Sequence, residues 1–316
     1  MTEPVLPIDR IVAEVRPDGE IDRVRPIAHG GRRETLEVQF RNWPSIIVQG
    51  AGSLDAAETE RALLTLLDRE TSIPTAPPIR AGQVDAQPWI VTDAIDGTDL
   101  HGEFTERSTL VQNRLVRQFG AVLGEVHALW ETPHHGPVLA DDAGDLYVGD
   151  PASWTTYFGA YATHHLSRLP AAFDDLRVAI ADAVIAVPEA SGPARLFPWD
   201  LRPGNALCVG DTLTAIIDWE DPIATAPALA VAKAEYGIAR WYVDIERGSE
   251  LIERLHAGYR SVRSLPTVDP VHRIATAMDA AVDSHGMVTN PGYPPMSDSD
   301  AVAFHHGLLE RFLAAT

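Results

Sequence analysis

Three polar residues in the stretch Leu196–Asp221, LFPWDLRPGNALCVGDTLTAIIDWED, stand at a spacing suited to phosphoryl transfer. Asp200 precedes Asn205 on one loop, and Asp218 follows an apolar hairpin. A hydroxyl attacking the terminal phosphate of a nucleotide must be oriented and must lose a proton, which a loop carboxylate accepts; Asp200 suits that role. The phosphates carry several negative charges, and Mg²⁺, which favours oxygen ligands, neutralises them. Asn205 and Asp218 offer it an amide oxygen and a carboxylate. Arg202, close beyond Asp200, is placed to lay its guanidinium on the transferred phosphate.

The elements that must position these groups are short. Ala206–Val209 is an apolar run, Gly210-Asp211 a hairpin turn, and Leu213–Ile217 a second strand that delivers Asp218. A lone D-x-x-x-x-N occurs often by chance on surface hairpins. Here it is followed by a hairpin ending in I-I-D-W-E-D, which favours the catalytic reading.

The stretch resembles the aminoglycoside phosphotransferase and choline kinase group of small-molecule kinases, whose loop reads H-G-D-x-x-x-x-N and whose metal strand ends I-D-W/F-E. In this chain Pro198 and Trp199 stand where that family has His and Gly, while Asp200, Asn205 and Ile217-Asp218-Trp219-Glu220 keep the pattern. The resemblance runs roughly over residues 20–310. It implies an α+β, protein-kinase-like bilobal fold, with a small β-rich N-lobe over 1–95 and a larger, mostly helical C-lobe over 96–316. It also implies Mg²⁺, ATP or GTP as donor, and a hydroxylated small-molecule acceptor.

In the N-lobe, Ile21–Ile27, Thr35–Phe40 and Ser45–Val48 read as strands around the loop His29-Gly30-Gly31-Arg32-Arg33. The resemblance makes Gly30, Gly31 and Arg33 phosphate-facing. Paired glycines are also plain turn chemistry. The family's phosphate-binding Lys falls at Gln49, which brings no charge, so Arg32 or Arg33 must supply it. Asp55–Glu70 has helical periodicity, with Leu54-Asp55 at its start as the expected cap, and the resemblance places Glu60 where the family pairs a helix Glu with that Lys. A solvated helix Glu is the alternative. Pro88–Val91 is a strand leading to Thr92, Asp93 and Ala94, the positions that resemble the base-binding hinge.

Beyond the hinge, Leu110–Trp130 reads as an amphipathic helix, with His127 near its end as a structural residue. Residues 131–150 read as loop. Trp154–Leu169, Phe173–Val187, Leu229–Tyr242, Glu250–Val262, Pro270–Ser284 and Ala301–Leu313 read as helices, and Asp244, Glu246, Asp279 and Asp283 are acceptor-site candidates. The pairs His134-His135, His164-His165 and His305-His306 do not suit a metal, because adjacent helical residues point about 100° apart. The family's D-P-x-x-D-L-A segment, whose second Asp braces the catalytic loop, is here Ala226–Ala232, APALAVA. Both ends of that polar brace are exchanged together, and Pro198 and Trp199 are expected to hold the loop by rigidity and packing instead.

The chain has 316 residues, 45 acidic against 25 basic, for a net charge of −20. That argues against nucleic-acid or anionic-membrane partners and favours a cationic acceptor. The single cysteine, Cys208, excludes an internal disulfide and reads as buried strand. The single lysine, Lys233, reads as compositional bias. The N-terminus lacks the basic-then-apolar order of a signal peptide, so the expected location is cytoplasmic. Two functions follow: an active Mg²⁺-nucleotide phosphotransferase, or a pseudokinase-type binding or regulatory protein on the same fold, the latter motivated by Gln49 and Pro198.

Overall fold

The computed structural model describes residues 6–27, 33–190, 192–283, 285–290 and 296–316. Helix α1 (Ile8–Val15) precedes strands β1 (Ile21–Pro26), β2 (Thr35–Phe40) and β3 (Ile46–Gly50). Helix α2 (Leu54–Glu70) then leads to β4 (Pro78–Val84) and β5 (Gln87–Asp93). The five strands form one antiparallel sheet in the order β1-β2-β3-β5-β4.

Alternation sends successive side chains to opposite faces. Leu36, Val38, Ile46, Val48, Trp89 and Val91 cluster with Ile8, Ile11 and Val12 of α1, while Ala81 and Ile90 belong to the core that includes Ala57, Leu63 and Leu67 of α2. Neither α1 nor β4 was expected from the sequence. The cap of α2 is Ser53, whose hydroxyl accepts from Ala56 N–H at 3.0 Å, and not Leu54-Asp55.

The rest of the chain is mainly helical: α3 (Leu100–Glu103), α4 (Thr109–Leu129), α5 (Trp154–Arg168), α6 (Arg177–Ile185), α7 (Pro227–Ala234), α8 (Ile245–Arg260), α9 (Pro270–Ala281) and α10 (Asp298–Leu313). Residues 131–150, expected as loop, instead contribute β7 (Glu131–Thr132), β8 (Gly136–Ala140) and β9 (Leu146–Val148). With β10 (Ala194–Phe197) and β13 (Ile223–Thr225) these form a sheet in the order β7-β10-β13-β8-β9. Strand β7 pairs with β10 and β8 with β13, both distant in sequence, β9 pairs with its neighbour β8, and each strand is too short to leave a periodic signal. A third sheet joins β12 (Thr212–Ile216), β11 (Ala206–Val209) and β6 (Thr98–Asp99).

The helix expected over Leu229–Tyr242 is regular only to Ala234. Glu235–Arg240 is π-helical, and the buried Glu235 carboxylate accepts from Arg273 at 2.6 Å and bonds His256 at 2.7 Å. Helix α8 starts at Ile245, earlier than the expected Glu250, because Asp244 caps it by accepting from Arg247 N–H. Helices α4 and α8 touch through their backbones: a Cβ on Gly120 would lie 2.0 Å from the Leu255 carbonyl oxygen, and one on Gly258 1.9 Å from that of Arg117. Among the described residues no helix is long and apolar enough to cross a membrane.

Candidate active site

The loop after β10 turns at buried Pro198 and passes through Trp199 and Asp200. It then closes in a 3₁₀ turn, Pro203–Asn205, held by Asn205 N–H to the Arg202 carbonyl at 3.0 Å. Asn205 Nδ2 donates back to the Asp200 backbone oxygen at 2.8 Å and to Asp200 Oδ2 at 3.2 Å. Arg202 Nε donates to the same Oδ2 at 2.7 Å. Asp200 is therefore oriented through one oxygen, while its side chain stays 44% exposed.

The Arg202 guanidinium also meets the Tyr242 hydroxyl. Burial alone would make it less basic, but Asp200 and Tyr242 raise it overall. Gly204 leaves room for this arrangement. A Cβ there would lie 2.9 Å from His101 Nδ1 and 3.0 Å from Arg202 Nη1.

The β11–β12 hairpin turns at Gly210, whose φ of +65° suits a residue without Cβ. Its ladder runs Ala206↔Ile216 and extends one step further, with Ile217 N–H donating to the Asn205 carbonyl at 2.9 Å. That register sets Asn205 beside the residue preceding Asp218. Asp218 itself has φ +64°, a left-handed conformation that Asp tolerates better than most residues. Trp219, buried behind it, donates its indole N–H to the Ile216 carbonyl.

Arg33 joins these elements. Its guanidinium donates to Glu60 Oε2 at 2.8 Å and to Asp218 Oδ1 at 2.9 Å, and its Nε lies 2.8 Å from Glu220 Oε2. Glu60 is buried, so the solvated-helix reading of that residue is wrong. Burial raises the Glu60 carboxyl above the usual carboxylate range although Arg33 opposes it. Burial likewise pushes Glu220 up to about 7, with Arg33 opposing and Asp218 and Asp221 adding to the rise. Burial would lower the Arg33 guanidinium, yet Glu60, Glu220 and Asp218 raise it.

The other sequence candidates have partners outside this cluster. Gln49 lies on β3 opposite Thr35 and Ile90. At the hinge, Thr92 pairs with Ile47 in the ladder, and the N–H groups of Asp93 and Ala94 are spent on the Pro77 and Ser45 carbonyls. The Asp93 carboxylate lies 3.8 Å from Arg16. Gly30, Gly31 and Arg32 lie outside the described residues. Of the acceptor-site candidates, Asp244 is a helix cap, Asp283 accepts from His285 and Met287 N–H groups, and Asp279 pairs with Lys233. Buried His127 bonds the Tyr259 hydroxyl at 2.8 Å, a contact with α8. Among the described residues no group of three His, Cys, Asp or Glu is arranged to hold a metal. Tyr242 has no mark in the sequence, because the fold brings it back against the Asp200 loop from beyond α7, where its hydroxyl accepts from Gly204 N–H at 3.1 Å; Glu220 closes the I-D-W-E pattern, but its contact with Arg33 could not be read from that spacing.

A model described as the phosphotransferase enzyme family matches residues 23–271. No curated protein matches the sequence. Solved structures similar to this chain include a thermostable mutant of aminoglycoside phosphotransferase APH(4)-Ia in ternary complex with AMP-PNP and hygromycin B, at 13% identity, TM-score 0.66 and 98% coverage of both chains. A putative aminoglycoside phosphotransferase from Ralstonia eutropha matches at 14% identity and TM-score 0.64, covering 98% of this chain and 96% of the other. The GDP complex of an aminoglycoside 2'-phosphotransferase-IIIa mutant matches at 17% identity and TM-score 0.62, covering 97% of this chain and 96% of the other. At these identities the structures establish a shared fold, with the β-sheet N-lobe and helical C-lobe already described.

Proposed function

The chain belongs to the phosphotransferase enzyme family, and from that premise we propose that it moves the terminal phosphate of ATP or GTP, with Mg²⁺, to a hydroxyl of a small, amine-bearing acceptor. The observation that carries this reading is the Arg33 guanidinium bridging Glu60 and Asp218. Of the two arginines that could supply the charge Gln49 lacks, Arg33 is held against Glu60, the helix residue with which the family pairs its cation. That supports the phosphotransferase reading over the regulatory alternative on the side of Gln49, the exchange at Pro198 being left to the transfer assay.

In this reading Asp200 is the base. Its Oδ2 is held by Arg202 and Asn205, so the carboxylate keeps one orientation and Oδ1 accepts the proton of the acceptor hydroxyl. Arg202, already poised against Asp200, offsets charge on the transferring phosphoryl group. Arg33 leaves Asp218 for the nucleotide phosphates while keeping Glu60.

The residues present fit Mg²⁺. Asn205 spends its Nδ2 on Asp200, which leaves its amide oxygen as a hard ligand, and Asp218 already accepts a cationic group, with Arg33 as stand-in. Asn205 and Asp218 would hold the ion, and bound there it neutralises phosphate charge. Binding of Mg·ATP or Mg·GTP, followed by transfer to hydroxylated acceptors with wild type and Asp200→Ala, tests the proposal. The net charge of −20 supports a cationic acceptor over an anionic one.

A further inference from the structure

Lys233, the chain's only lysine, lies on α7 directly after the segment from which the family's bracing acids are missing. Far from being a trace of composition, its side chain is only 17% exposed. Its Nζ sits 3.9 Å from the centroid of the Trp199 ring and pairs with Asp279 of α9, whose side chain is 13% exposed. The other Asp279 oxygen lies 3.4 Å from His165 Nδ1. Tyr161 sets its ring at 83° to that of Trp199, with centroids 5.9 Å apart. Three helices thus converge on the residue that immediately precedes Asp200.

We infer that Lys233 is a positioning residue for the catalytic loop: an ammonium fixed by Asp279 and set against Trp199, it holds the backbone that presents Asp200. The inference rests on the proposed role of Asp200. The expected brace of rigidity and packing is therefore charged at its centre. A desolvated cation over an indole is a stronger hold than apolar contact alone. The compact ammonium fits between ring and carboxylate where a planar guanidinium fork would need more room. Burial alone would raise Asp279, but Lys233 and His165 keep it below the usual carboxylate range. Burial pushes His165 down to about 4, so at neutral pH the charge opposite Asp279 is that of Lys233.

The test compares wild type with Lys233→Met, Lys233→Arg, Trp199→Leu and the double variant Lys233→Met/Asp279→Asn, which leaves no unpaired carboxylate if Lys233→Met alone fails to fold. Hydrogen exchange of residues 198–205 is read beside kcat and KM for Mg·ATP, with the best acceptor or with water. The expected result is faster exchange in the loop. It comes with a kcat lowered on the order of 10–100-fold at a KM changed less than about twofold. Trp199→Leu gives the same profile, is not additive with the Lys233 change, and Lys233→Arg recovers some of the lost kcat. Wild-type kcat in the folded double variant, or additivity of the Trp199 and Lys233 changes, overturns the inference. If the wild type transfers phosphate to nothing, the proposed function fails. Loop exchange still decides the positioning role of Lys233 in that case, and unchanged exchange in the double variant overturns it.

Discussion

Arg33 and Glu60 form an ion pair at 2.8 Å in which both side chains are 10% exposed or less, tying the residue just before β2 to the helix that packs under the N-terminal sheet. In a family whose phosphate-binding cation is expected on β3, this chain has Gln49 on β3, and in the proposed reading Arg33, from the loop before β2, supplies the charge. The same guanidinium reaches Asp218 and so links the two ends of the proposed nucleotide site.

Removing that charge has two separable effects. Arg33→Ala strands Glu60 in a buried site and is expected to cost about 3 kcal/mol of stability at pH 8. The cost shrinks at lower pH, because the raised Glu60 carboxyl protonates. Affinity for Mg·ATP falls about 10–100-fold, the worth of a charge-assisted hydrogen bond to phosphate. Calorimetric titration of Arg33→Ala and Arg33→Ala/Gln49→Lys checks this, with the second variant recovering affinity by moving the cation to β3.

The α4–α8 contact should tolerate no side chain. A Cβ at Gly120 meets the Leu255 carbonyl at 2.0 Å, so Gly120→Ala must separate helices that share the core. A loss of about 3 kcal/mol is expected, the scale of overpacking in a tight interior. Urea unfolding measures it, and Gly159→Ala, where no atom lies within 4 Å of the added Cβ, serves as the control.

Stability should fall as pH drops below about 6.5. Burial pushes His127 down to about 3 and His165 and His305 down to about 4, so the folded state keeps them neutral while the unfolded state protonates them. The unfolded state then binds more protons, and each such His removes up to about 1.4 kcal/mol per pH unit between its unfolded and folded values. The raised carboxyls of Glu60 and Glu220, the latter pushed up to about 7, work in the opposite sense, but burial also pushes His135 down to about 4 and lowers His272, so the depressed histidines outnumber them five to two. Unfolding free energies at pH 7, 6 and 5 give the slope, and His305→Gln should flatten it.

The fold class was legible because three things survive in the sequence: the alternation of β2 and β3, the periodicity of α2 and α4, and the D-x-x-x-x-N hairpin. What escaped was built from long-range contact. Strands β7 and β8 pair with partners far along the chain, and Lys233 acquires meaning only when α5, α7 and α9 meet around Trp199. Lys233 looked like composition because one lysine among arginines carries no pattern. Similarly, Glu60 could be placed on α2 but not buried, since its partner Arg33 comes from a loop whose path the sequence leaves open. The π-helical turn at Glu235 follows from a carboxylate shared by Arg273 and His256, neither of which lies near it in sequence.

The central claim is that Asp200 serves as the base of a nucleotide-dependent phosphotransferase. Transfer of labelled terminal phosphate from ATP and GTP, with Mg²⁺, across a panel of hydroxylated amines tests it most directly, using wild type and Asp200→Ala side by side. Transfer by the wild type to at least one acceptor is expected, falling about 10²–10⁴-fold in Asp200→Ala with nucleotide affinity retained. A wild type that binds neither nucleotide, or an Asp200→Ala variant with undiminished turnover, would contradict it.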